Sequence, residues 1–241
     1  EMVYSHLGSW IRISEDGSKW GNPIRVPVTA PHGPIKLSNG NLLYFGKAAV
    51  ADRNFHSELQ NGMIRASVSK DGGLTWEVIG EVPIPEDTEA ANFHEPHAVE
   101  LKSGKIIGMI RYQHSQKIKN YDRFTMFQTE SFDGGKTWSI ARPTGVSGSP
   151  PHLLRHSSGA IICVYGYREI PYGQRAMISY DEGETWDTDY ILRDDGPDSD
   201  LGYPASVELD DGSIFTIYYQ KYAAGEKTSL LWTRWELPLR K

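Results

Sequence analysis

A single cysteine in 241 residues leaves no partner for an internal disulfide. Cys163 sits inside the apolar run Ile161-Ile162-Cys163-Val164, which reads as a buried core thiol rather than a nucleophile. Basic residues are in deficit: the formal net charge is -6, with no basic stripe of the kind that holds nucleic acid. No stretch approaches the roughly eighteen consecutive apolar residues of a membrane-spanning helix. The opening Glu1-Met2-Val3-Tyr4 has no basic and apolar leader, so a signal peptide is absent or removed and the compartment stays open. No long window shows helical periodicity. Neither a His-x-x-x-His pair nor a cysteine cluster supports a metal site, and nothing calls for a cofactor.

What the chain does have is a repeat. Three segments share one pattern: Ser69-Lys70-Asp71-Gly72-Gly73-Leu74-Thr75-Trp76, Ser131-Phe132-Asp133-Gly134-Gly135-Lys136-Thr137-Trp138 and Ser179-Tyr180-Asp181-Glu182-Gly183-Glu184-Thr185-Trp186. A fourth, Ser14-Glu15-Asp16-Gly17-Ser18-Lys19-Trp20, is one residue shorter. The aspartates stand 55, 62 and 48 residues apart, the size of one four-stranded propeller blade. The chemistry of this Asp box is that of a turn. A short carboxylate accepts backbone N–H groups of its own loop, glycine takes the positive φ, and tryptophan covers the turn as the next strand begins.

Between the boxes, apolar strands flank Gly40, Gly104, Gly159 and Gly212 in Asn-Gly, Ser-Gly and Asp-Gly turns, which are hairpin signals. Four inner hairpins are expected, at 35–43, 99–107, 153–162 and 207–215. Each is followed by a third strand, except that the chain ends on the last of these, Leu230–Leu237. A partial unit, Trp10–Trp20, precedes them. The expectation is an all-β propeller of four-stranded blades forming one domain over 1–241. Four and a half units fall short of a six-bladed ring, so the N-terminal blade or blades are expected to be missing, unless the propeller is small and unusual.

On these boxes the chain resembles the sialidase (neuraminidase) superfamily of six-bladed propellers. The resemblance implies a site on the propeller axis, at the entry ends of the innermost strands. There, three arginines hold the substrate carboxylate, a tyrosine is the nucleophile, a glutamate assists it and an aspartate is the acid. It points to a glycan or acidic-sugar substrate and, on resemblance alone, to a secreted or periplasmic setting. A neutral phenol can approach an anomeric carbon bearing a carboxylate, where an anionic nucleophile would be repelled. A nearby glutamate can take the phenol proton, and an arginine fork matches a carboxylate.

Two segments match well. His94-Glu95-Pro96-His97 resembles the Glu-Pro segment, with Glu95 the assisting glutamate, and Leu201-Gly202-Tyr203-Pro204 the nucleophile segment, with Tyr203 the phenol. Both residues stand nine before their hairpin glycines, Gly104 and Gly212, so they face one axis. A solvated turn carboxylate and a core ring are the plain alternatives. Arg111 ends the second strand of the Glu95 blade, where the family has a carboxylate-binding arginine; Arg175 or Arg168 would be another. The family's early Arg-Ile-Pro segment is not clearly present. Asp52, in a loop after an inner hairpin, is a candidate acid, although its blade is third in order.

His97 and His152 each stand seven residues before a hairpin glycine, and His32 eight before Gly40. These imidazoles are expected to crowd the axis, lining the ligand site or bonding backbone there. They also open a second enzyme reading, a lyase of uronic-acid polysaccharides with His97 or His152 and Tyr203 as base and acid. A third is a carbohydrate-binding propeller without catalysis.

Overall fold

The computed structural model describes residues 8–48, 62–114 and 121–238. Strands β1 (Ser9–Ile11) and β2 (Ile24–Val26) form a two-stranded piece. The first blade joins a broken inner strand, β3 (Val28–Thr29) and β4 (Ile35–Lys36), to β5 (Leu42–Ala48), β6 (Ile64–Ser69) and β7 (Glu77–Glu81). The second contains β8 (Phe93–Glu100), β9 (Ile106–Tyr112), β10 (Thr125–Ser131) and β11 (Arg142–Ser147). The third contains β12 (Pro151–Arg155), β13 (Ile161–Tyr167), β14 (Tyr172–Ser179) and β15 (Asp187–Gly196), and the fourth β16 (Gly202–Glu208), β17 (Ile214–Gln220) and β18 (Ser229–Trp235). Every pairing is antiparallel. The one helical turn among the described residues is the 3-10 turn Ala90–Asn92.

Each Asp box falls between the third and outer strands of its blade, as the motif predicts. In the first, Asp71 accepts the N–H groups of Leu74 and Thr75 at 3.1 and 2.9 Å and the Thr75 hydroxyl at 2.6 Å, while Trp76 Nε1 donates to Gly73 O. The same bonds recur around Asp133. The threonine hydroxyl, then the backbone N–H groups, hold the carboxyls of Asp71, Asp133 and Asp181 down at about 2.

The core lies in the seams between blades, because a central strand is buried on both faces. Leu43, Phe45 and Ala66 of the first blade meet Phe93, Ile110 and Phe127 of the second. Ile107 and Met109 of the second meet Leu153, Cys163 and Met177 of the third. Ile162, Val164 and Ile178 meet Ile214 of the fourth. Gly108 is needed for this closeness, since a Cβ there would stand 2.6 Å from the Phe45 ring. The far face of the fourth blade is uncovered: Leu230 and Trp232 are 75% and 62% exposed, and Phe215 stacks on Trp232 at 5.4 Å.

Candidate functional site

Two β-bulges build the site. The β8–β9 ladder slips between His94 and His97, and the β16–β17 ladder between Gly202 and Ala205. In each gap stands a residue with positive φ, Glu95 (43°) or Tyr203 (51°), followed by proline. Proline brings no N–H to the ladder, and a residue before proline is normally held extended. A non-glycine residue in such a conformation costs on the order of 1–3 kcal/mol and persists only where its surroundings enforce it. The effect is to re-aim both side chains out of the pleat and towards each other.

They meet. The Tyr203 hydroxyl donates to Glu95 Oε1 at 2.5 Å, and Arg111 Nη1 donates to Glu95 Oε2 at 2.5 Å while lying 3.4 Å from the Tyr203 oxygen. Arg111 Nη2 donates to Gln113 Oε1. Burial, then the Glu95 charge, raises the Tyr203 pKa above the usual phenol value, with Arg111 opposing. The phenol therefore rests with its proton on and a carboxylate in place to receive it.

Arg168 borders the same segment. It donates to Ser199 O at 2.7 Å, and a Cβ on Gly202 would come 3.4 Å from its Nη2. Tyr219 lies beside Tyr203, with ring centroids 5.8 Å apart, and donates to Asp200. Arg175 lies elsewhere. It is buried with its guanidinium 4.5 Å over the Tyr167 ring and donates to Pro171 O, without a contact to Glu95, Arg111 or Tyr203 among the described residues. Asp52 lies outside the described residues.

The three predicted imidazoles come together. His97 and His152 stack at 4.5 Å, and His32 stands 5.1 and 5.0 Å from them. His97 Nδ1 accepts the Leu153 N–H at 2.9 Å and His152 Nδ1 the Ser206 N–H at 3.3 Å, while His32 Nε2 donates to Pro204 O at 2.9 Å. Burial pushes all three pKa values down, His152 to about 3 and His97 well below its ordinary value. The Nδ1 lone pairs of His97 and His152 are thus occupied by backbone N–H groups, which leaves the proton of each neutral ring on Nε2. Among the described residues, no group of three or more His, Cys, Asp or Glu is placed to hold a metal.

Lys47 and His94 are additions to the predicted set. With Thr29, Ala30, Pro31 and Glu95 they line a cleft of about 340 Å³. Lys47 Nζ donates to Ala91 O at 3.0 Å and to His94 Nδ1 at 3.2 Å, which leaves the His94 proton on Nε2. Burial, then the charges of Lys47 and Arg111, brings the His94 pKa to about 4. A signal for Lys47 exists in the repeat. Lys47, Arg111 and Tyr219 each stand seven residues after a hairpin glycine.

The BNR repeat-like domain family matches residues 3–216, and the chain belongs to that family. Its fold is the sialidase-type BNR β-propeller. A protein of unknown function from Dyadobacter fermentans is similar over 96% of this chain and 65% of its own length, at 26% identity and a TM-score of 0.79. The NanB sialidase of Streptococcus pneumoniae matches over 95% of this chain and 35% of its own, at 20% identity and a TM-score of 0.69. An alpha-L-arabinanase of Penicillium chrysogenum matches over 86% and 63%, at 18% identity and a TM-score of 0.60. The chain thus spans less than two thirds of the length of these relatives, and two of them are glycoside hydrolases. No curated protein sequence matches it.

Proposed function

We propose that the protein is a sialidase-like glycoside hydrolase that removes a terminal acidic sugar from glycans with retention, using Tyr203 as nucleophile. The observation that carries this reading is the 2.5 Å bond from the Tyr203 hydroxyl to Glu95, made by two strained residues from equivalent places in two blades. As the phenol oxygen attacks the anomeric carbon, its proton passes to Glu95 and the bond to the aglycone oxygen breaks. That oxygen takes a proton from an acid, a role we assign to Asp52. Water then attacks the tyrosyl glycoside, returning the phenol and releasing the sugar with its configuration retained. Arg111, and Arg168 from the neighbouring blade, supply the cationic side for the substrate carboxylate.

Release of methylumbelliferone from a methylumbelliferyl sialoside tests the reading. Turnover by the wild type, lost by about a hundredfold or more in Tyr203→Phe, is the expected result. Wild-type binding of sialoside without turnover would make the protein a carbohydrate-binding propeller instead. An unsaturated uronate product from an acidic polysaccharide would make it a lyase.

A further inference from the structure

The nucleophile segment lacks the ladder bonds that hold the rest of β16. Its pairing with β17 runs from Glu208 to Ala205 and resumes only at Gly202, so Tyr203 and Pro204 have no partner on the neighbouring strand. The ladder therefore does not hold this bulge in its strained conformation. Two imidazoles hold its edges, His32 at the unpaired Pro204 and His152 at Ser206, where the pairing with Thr216 has resumed. His32 donates to the Pro204 carbonyl, one residue beyond the tyrosine, and His152 accepts the N–H of Ser206 at the foot of the bulge. We propose that His32 and His152 are positioning residues for Tyr203, gripping the bulged segment so that the phenol stays on Glu95.

The grip is a product of the repeat. His97 and His152 stand seven residues before their hairpin glycines, and each accepts the N–H that stands six residues before the glycine of the next blade. One latch therefore joins the second blade to the third, and the same latch joins the third to the fourth. The fourth blade has Ala205 at the latch position, so the series ends on the nucleophile segment. His32, packed against both rings, closes the series back onto Pro204 from the first blade. The first and third blades thus bond directly to the backbone that carries the phenol, and His97 of the second packs against both of their rings. The inference rests on the reading of Tyr203 as nucleophile.

Variants that differ in reach, and little in polarity, supply the test. His152→Asn keeps an acceptor where Nδ1 stands, whereas His152→Gln moves it outward; His32→Gln keeps a donor where Nε2 stands, whereas His32→Asn falls short. On methylumbelliferyl sialoside, His152→Gln and His32→Asn are expected to lose about tenfold or more in kcat, with KM changed less than about threefold. His152→Asn and His32→Gln should recover most of that loss. Equal kcat across all four variants overturns the inference, as does a loss confined to KM, which would return both histidines to substrate binding. Crystal structures of the four variants give a readout that needs no substrate. The phenol should leave Glu95 in His152→Gln and His32→Asn and remain within hydrogen-bond distance in the other two; an unmoved phenol in all four overturns the inference. A wild type inert towards sialoside would sink the proposed function while leaving this structural arm to decide the role of the histidines.

Discussion

Glu95 and Tyr203 reach each other because two short stretches of backbone leave the pleat, and the charges at their meeting point oppose one another. Glu95 raises the Tyr203 pKa while Arg111 lowers it. Glu95→Gln should therefore lower the phenol pKa, because Arg111 is left without its counter-charge. A difference titration against the Tyr203→Phe background, read in the ultraviolet, checks the direction; an unchanged or higher pKa contradicts the assignment. The same variant should cost about a hundredfold or more in turnover, since the proton acceptor is gone. Glu95 and Tyr203 were legible as candidates through motif resemblance backed by their equal distances from hairpin glycines, and Arg111 through its place at the end of the second strand. The different surroundings of Arg168 and Arg175 were not, since they depend on which face of a strand each side chain takes after a loop of unrepeated length. Lys47 carried the same spacing signal as Arg111 but lay outside any motif.

At the scale of elements, the box turns are nearly self-contained. Their bonds run within seven or eight residues, which is why they could be read without the fold. The third box departs from the others. Glu182 takes φ 58° where the first two have Gly72 and Gly134, and Trp186 Nε1 donates to Gln128 across the seam. Glu182→Gly should relieve about 1 kcal/mol of left-handed strain, offset in part by loss of the Ser103 bond to the Glu182 carboxylate. Chemical denaturation should show unchanged or slightly raised stability; a loss above about 1 kcal/mol would mean the side chain matters more than the turn. Trp138 belongs to the opposite case. It stacks on Phe45 of the neighbouring blade at 4.6 Å and is buried, so Trp138→Ala should cost about 3–5 kcal/mol. The bulges, unlike the turns, were not legible, because a register slip depends on the partner strand and on what grips it.

Across the whole molecule, stability is carried by seams and by an axis of neutral imidazoles, and the axis makes stability depend on pH. The ordinary histidine value is 6.5, while His152 titrates near 3 and His94 near 4 in the folded chain. Below pH 6.5 the unfolded chain binds protons that the folded chain refuses, so this stability is complete above 6.5 and declines as pH falls towards the folded values. At about pH 5 the neutral His152, with its folded value near 3, costs about 2 kcal/mol. The box aspartates, lowered from 3.8 to about 2, hold until the pH falls below about 4 and then add a second decline. Melting temperature followed from pH 8 downwards should begin to fall near pH 6.5, well before the carboxylates titrate; a flat profile down to about pH 4 would contradict the buried, neutral axis. The blade architecture was legible at this scale because hairpins and boxes recur at fixed spacing. The bonds from the first and third blades to the Tyr203 segment were not, since they join residues up to 172 positions apart.

Trapping reports whether the Tyr203 oxygen bonds to the anomeric carbon of the sugar. A fluorinated sialosyl fluoride slows breakdown of a glycosyl intermediate more than its formation, so peptide mass spectrometry after brief incubation reports the nucleophile. With Tyr203 as nucleophile, one sugar is expected on the peptide that contains it, and none there in Tyr203→Phe. A sugar on any other residue, or turnover with an unlabelled Tyr203, would contradict that role.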